Sequence, residues 1–274
     1  MTERASDKGF VVGARVEEWA AIGEFLGGLP DAQWDSPSPL PGWSVRDLVA
    51  HIVGTEASLS GESLPASEVD LRSLEHVRND IGALNEAWVQ SLRSSAPADV
   101  LARFRQLTGL RAAALEAMSQ AEFDAPSWTP AGQGTYGRFM EIRVFDCWMH
   151  EQDMRDAVGI PGHGGGPGAE LSVDEIVRAL GYIVGKRAGA PSGSLVSLVL
   201  TGPVTRSVHV AVDGRASVVD EPDREATVVL SLSSDVFARL AGGRVPVASR
   251  VNEVLISGDA ELGRRVLEAL AFTI

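Results

Sequence analysis

Cysteine is nearly absent: Cys147 stands alone among 274 residues, so the chain forms no intrachain disulfide. Lysine occurs only at Lys8 and Lys186, and 24 basic residues against 37 acidic ones give a net charge of −13. Nucleic acid and anionic membranes would be repelled at long range, which excludes both as expected partners and leaves small-molecule chemistry as the default. No apolar run approaches the roughly 18 residues of a membrane span; the longest are broken by Gly, Arg or Asp. The opening MTERASDKGF has no signal-peptide core, and the expected setting is cytoplasmic. There is no G-x-S-x-G, and one cysteine without a partner does not make a nucleophile, so a nucleophile is expected to come from outside the chain.

What is present is a large apolar fraction, 45%, in a chain long enough for one large or two ordinary domains. Periodicity predicts helices over Val12–Leu26, Ser44–Leu59, Glu68–Leu92, Pro97–Gln120 and Tyr136–Val158. In the third, Val69, Leu71, Leu74, Val77, Ile81, Leu84, Trp88 and Leu92 form one apolar stripe of the kind that packs a bundle. Ile160–Gly168 holds five glycines and two prolines and reads as the boundary. The expected division is a helical domain over 1–160, a linker over 161–168 and a smaller α+β domain over 169–274. In the last, a helix over Val173–Lys186 precedes the strand-like runs SLVSLVL, RSVHVAVDG and ATVVLSLS, with Asp213-Gly214 as a hairpin turn. Ser234 or Asp235 is expected to cap a helix to Leu240, EVLISG to return as a strand, and Asp259 to cap a last helix over Ala260–Leu270.

The chemistry concentrates in two segments. In FDCWMHEQD, Asp146 and His150 stand four apart and project from one helical face. In PGWSVRDLVAHIVG, Ser44 and Asp47 form a capping box that places His51 about two turns into the helix. Two imidazoles and a carboxylate leave one position of a tetrahedral ion open, as in catalytic rather than structural sites. The competing reading is a core histidine hydrogen-bonded to Asp146. Arg143, three before Asp146, either grips a substrate carboxylate or forms a structural salt bridge. Asp153, three after His150, either orients a ligand imidazole or pairs along the helix. Thr55 reads as a local helix bond, Cys147 as a small buried hydrophobe, and Trp43 and Trp148 as bundle packing; His76, His163 and His209 carry no assigned role.

PGWSVRDLVAHIVG and RVFDCWMHEQDMRDAVG resemble the two motif segments of the mycothiol-dependent maleylpyruvate isomerase family, and LSLSSDVFARLAGGR with VLISGDAELGRRVLEAL resembles its C-terminal domain. The resemblance implies a DinB-like four-helix bundle followed by a sterol-carrier-like α+β domain. It also implies a divalent metal, usually zinc, on His51, Asp146 and His150, with aspartate where glutamate is common. Mycothiol would then be the thiol added to a small electrophile, in an isomerase or S-transferase acting as a monomer or homodimer. Alternatives are a hydrolase using metal-bound water, an iron oxygenase triad, which is rarer in a helical setting, and a non-catalytic ligand-binding protein with a vestigial metal site. The second domain is expected to cover the open metal position, with Arg244 or Arg250 as candidate substrate contacts.

Overall fold

The computed structural model describes residues 6–273. The first five residues, part of the segment read for a signal peptide, and Ile274, the expected end of the second domain, lie outside the described residues. The chain forms two compact units that divide between Gly162 and His163.

The first unit is helical. Asp7 accepts from the Phe10 amide at 2.8 Å and starts α1 (Lys8–Gly27). There follow α2 (Val45–Leu59), α3 (Asp80–Leu92), α4 (Pro97–Ala117), the single turn α5 (Gln120–Phe123) and α6 (Tyr136–Val158). Between α5 and α6, β1 (Pro126–Thr129) and β2 (Gly132–Thr135) form a small antiparallel hairpin. Helix α1 packs on α4 and α6, while α2 packs on α3, α4 and α6. Ile22, Leu26, Leu48, Ile52, Phe104, Leu115 and Trp148 fill the space between them.

The single helix expected over Glu68–Leu92 does not form. Asp70 accepts from the Arg72 amide and sets a short 3-10 turn over Leu71–Ser73, and helix starts only where Asn79 accepts from the Gly82 amide at 2.8 Å. In the first half of the apolar stripe Val69 is 45% exposed and Leu71, Leu74 and Val77 are only half-buried, so burial does not drive that half into a helix, whereas Trp88 and Val89 in the second half are buried.

The second unit opens with α7 (Pro167–Tyr182), continued by a π turn over Ile183–Arg187. Pro167 and Gly168, expected in the linker, are instead the first helical residues; proline suits that position because its missing N–H has no intrahelical partner there. Strands β3 (Leu195–Thr201), β4 (Arg206–Asp213), β5 (Arg215–Val219), β6 (Val228–Ser233) and β7 (Leu255–Gly258) make a sheet in the order β5-β4-β3-β6-β7. Only β3 and β6 run parallel, and Leu198 stands opposite both Val208 and Leu230. Helices α8 (Ser234–Ala241) and α9 (Ala260–Ala269) complete the unit. The α8 cap is Ser233 rather than Ser234 or Asp235, whereas Asp259 caps α9. A helical region followed by a small sheet unit makes the chain mixed α plus β. Among the described residues no helix is long and apolar enough to cross a membrane.

Candidate metal centre

The site is assembled by α2 and α6. The capping box is closed in both directions: Ser44 Oγ accepts from the Asp47 amide at 3.3 Å and Asp47 Oδ2 from the Ser44 amide at 2.9 Å. This fixes the start of α2 and carries His51 into the helical interior, where it is 4% exposed. Thr135 caps α6 by accepting from the Arg138 amide. Asp146 and His150 lie one turn apart on α6 and meet His51 across the helix interface.

His51 Nε2 stands 3.4 and 3.3 Å from the two Asp146 oxygens, and His150 Nε2 stands 3.6 Å from Asp146 Oδ1. All three ligand atoms lie within 4.8 Å of one another. A charge-assisted hydrogen bond would draw nitrogen and oxygen to about 2.8 Å, whereas ligands of a tetrahedral ion at about 2.1 Å stand about 3.4 Å apart. The donor set of two imidazoles and a carboxylate therefore has spacings that a divalent ion can share, alongside the His51–Asp146 hydrogen-bond contacts.

The surroundings support that fit. His150 Nδ1 faces Asp153 Oδ2 at 3.2 Å, so the imidazole has a carboxylate behind it and its Nε2 turned to the site. Arg143 donates from Nη1 to Asp146 Oδ2 at 2.5 Å and from Nη2 to Glu56 Oε1 at 3.2 Å. With both ends of its fork engaged and its side chain 6% exposed, Arg143 adopts the salt-bridge alternative, not that of a solvent-facing grip for a substrate carboxylate. It leaves Asp146 Oδ1 free of that bond. The Asp146 side chain, 26% exposed, is the most open of the three ligands.

Burial lowers the His51 pKa, with Asp146 opposing it. Burial would lower that of His150 too, but Asp146 and Asp153 outweigh it and the net shift is upward. At Asp146 burial favours the neutral acid, yet Arg143 and the two histidines hold the carboxyl well below the usual range. Burial pushes the Cys147 thiol up to about 11, so it is held protonated rather than as a nucleophile. Thr55 Oγ1 bonds the His51 carbonyl at 3.1 Å, a local helix bond. In the second unit Arg244 bonds the Gly242 carbonyl and Arg250 pairs with Glu253.

Two residues at the site, Glu56 and Glu86, carry no signal in the sequence, and a third, Trp43, reads there only as packing. Glu56 of α2 is wholly buried and takes Arg15 of α1, Arg111 of α4 and Arg143 of α6. Trp43 does more than pack the helices: its ring centroid lies 5.4 Å from that of His51 and 6.3 Å from that of His150. Glu86 of α3 accepts from the Trp43 indole N–H at 2.8 Å.

A helical unit with this Asp/His pair facing a histidine of a second helix, followed by a smaller mixed-sheet unit, defines the class of protein. Residues 15–155 match the sequence model of the mycothiol maleylpyruvate isomerase N-terminal domain, and residues 170–265 match the C-terminal domain of the same family. The chain belongs to the mycothiol maleylpyruvate isomerase family. Its fold is similar to crystal structures of the mycothiol-dependent maleylpyruvate isomerase and of a histidine-to-alanine mutant, with TM-scores of 0.58 and 0.56. Both are 17% identical, with 92% of this chain and 93% of theirs covered. The uncharacterized proteins Rv0036c and MT0041 of Mycobacterium tuberculosis are each 25% identical over 136 residues, 48% of this chain. The chain spans about half the length of these curated relatives, 50% of each.

Proposed function

We propose that this protein is a metal-dependent enzyme that uses an external low-molecular-weight thiol, mycothiol, for addition to a small electrophile, as an isomerase or S-transferase. The observation that carries the reading is the ligand spacing: His51, Asp146 and His150 stand as coligands of one ion do, on two helices of a family defined by mycothiol chemistry. A divalent ion such as zinc, when bound, would stabilise a coordinated thiol as its thiolate near neutral pH. The chain's own residues hold and orient. His51 Nε2, Asp146 Oδ1 and His150 Nε2 would hold the ion, Asp153 keeps the His150 ring turned to it, and Arg143 keeps Asp146 from rotating away. The roles in turnover assigned to Arg143 and Asp153 are thus positioning ones. The need for an external thiol follows from Cys147, buried and raised to about 11, which leaves no side-chain thiolate at the site.

A screen of the purified protein against an unsaturated keto acid with mycothiol, with glutathione and with no thiol tests this reading. Turnover with mycothiol above that with glutathione, and none without thiol, is the expected result. Full turnover in thiol-free buffer would replace it with a hydrolase reading.

A further inference from the structure

Asp146 has two carboxylate oxygens, and His51 Nε2 stands almost equally far from both, 3.4 Å from Oδ1 and 3.3 Å from Oδ2. Position relative to His51 therefore does not decide whether the carboxylate offers an ion one oxygen or two. The difference has a chemical consequence: two imidazoles and one oxygen leave a tetrahedral ion one open position, and a second oxygen fills it. Arg143, three residues before Asp146 on α6, breaks the symmetry. Its Nη1 donates to Oδ2 at 2.5 Å, a charge-assisted bond that draws the charge of that oxygen toward the guanidinium, while Oδ1 is the oxygen 3.6 Å from His150 Nε2. A long side chain holds one such bond reliably only if its other arm is fixed. Glu56 fixes it, accepting from Arg143 Nη2 on Oε1 at 3.2 Å. Glu56 is wholly buried and is itself held by Arg15, which bonds the same oxygen, and by Arg111, 3.3 Å from Oε2. Arg111 is steadied in turn by the Tyr136 hydroxyl at 2.6 Å. Two guanidinium groups already exceed the charge of one carboxylate, so pairing at Glu56 does not account for burying a third. Asp146 does account for it: the line from Glu56 through Arg143 ends on one oxygen of the ligand set.

We propose that Arg143, anchored on Glu56, restricts Asp146 to one ligating oxygen and so keeps the remaining position of the ion open for the thiol. The proposal rests on the metal-and-thiol reading above and adds how the open position is maintained. Both residues act through Asp146 and are positioning residues. Without the fork, Oδ2 is released to compete with the incoming sulfur.

The test uses the full chain loaded with cobalt and titrated with 2-mercaptoethanol, following thiolate-to-cobalt absorption, with cobalt affinity measured separately against a chromophoric chelator. Arg143→Gln is expected to bind cobalt at least as tightly as wild type, because a second oxygen is released to the ion. Its visible cobalt spectrum should differ from that of wild type before any thiol is added, and its thiol affinity should fall about tenfold, equivalent to about 1.4 kcal/mol. Arg143→Lys separates ligation from charge, since it keeps a buried cation but replaces the fork with a single point donor. It also decides the case if the glutamine variant does not fold. Thiol affinity in Arg143→Lys is expected to fall in the same direction at full cobalt loading. Wild-type thiol affinity in Arg143→Lys overturns the proposal while leaving the metal reading intact, and so does a loss of cobalt affinity in Arg143→Gln with the spectrum and thiol affinity of the loaded protein unchanged. Failure of wild type to bind cobalt overturns both.

Discussion

At the scale of single residues, the site is a short list of atoms with separable jobs. Asp153 stands behind His150, its Oδ2 3.2 Å from His150 Nδ1. Removing its charge should leave the ligand set complete but less well oriented, and such changes usually cost about 10–100-fold in metal affinity. Asp153→Asn is therefore expected to weaken metal binding within that range while helix content stays the same, as competition with a chromophoric chelator would read. An unchanged affinity would make Asp153 a helix-packing residue only. The ligands themselves were legible because chemistry and spacing coincide: an i, i+4 pair on one helix, and a histidine counted from a capping box. Glu86 and Glu56 were not, because nothing in their local context marks them, and Trp43, though inside a motif segment, shows its contacts with the two imidazoles only in the fold. Trp43 and Glu86 are 43 residues apart in the chain, and Glu56 finds its three arginines on three other helices.

At the scale of elements, capping and turn chemistry were the parts that could be read. Ser44 with Asp47, Asp259, and the Asp213-Gly214 turn between β4 and β5 all stand where their side chains or dihedrals require. The apolar stripe over Glu68–Leu92 misled because periodicity reports only that one helical face would be apolar, not that a neighbour covers it. Asp70 and Asn79 then set the local starts. The contact between α2 and α3 was likewise invisible in sequence and depends on Gly54. A Cβ there would fall 2.3 Å from Trp88 Cβ and Cγ, inside any tolerable contact, so the two helices are as close as a glycine permits. Gly54→Ala is expected to push α3 away and cost about 1–3 kcal/mol. Because Gly54 lies one turn from His51 and α3 carries Glu86, it should also lower metal affinity. Urea denaturation with a parallel metal titration checks both effects; full stability in the alanine variant would mean that the helices separate without cost.

At the scale of the whole molecule, one carboxylate joins the long helices of the first unit. Glu56 on α2 binds arginines from α1, α4 and α6, all largely buried. Burial alone would raise its pKa, but Arg15, Arg143 and Arg111 hold it below the ordinary value of 4.5. The folded state thus binds fewer protons than the unfolded one between the two values. Stability from Glu56 is fully present above about pH 4.5 and is lost as pH falls through the lower, folded value. Glu56→Gln, which removes the carboxylate that three buried guanidinium groups share, is expected to cost about 3–5 kcal/mol near neutral pH and to flatten the acid limb of the stability profile. Denaturant midpoints measured from neutral pH downward decide this; equal midpoints for the two proteins would show that the arginines are satisfied elsewhere.

The metal centre itself should matter little to the fold, since the apolar residues between the helices supply most of the burial. The most direct test of the account is therefore the metal content of the purified protein beside that of His51→Ala, by elemental mass spectrometry with circular dichroism on the same samples. The account predicts one divalent ion per wild-type chain, almost none in the variant, and the same helical spectrum in both. A wild-type protein that binds no ion under metal-replete conditions, or a variant that keeps its ion, would contradict it.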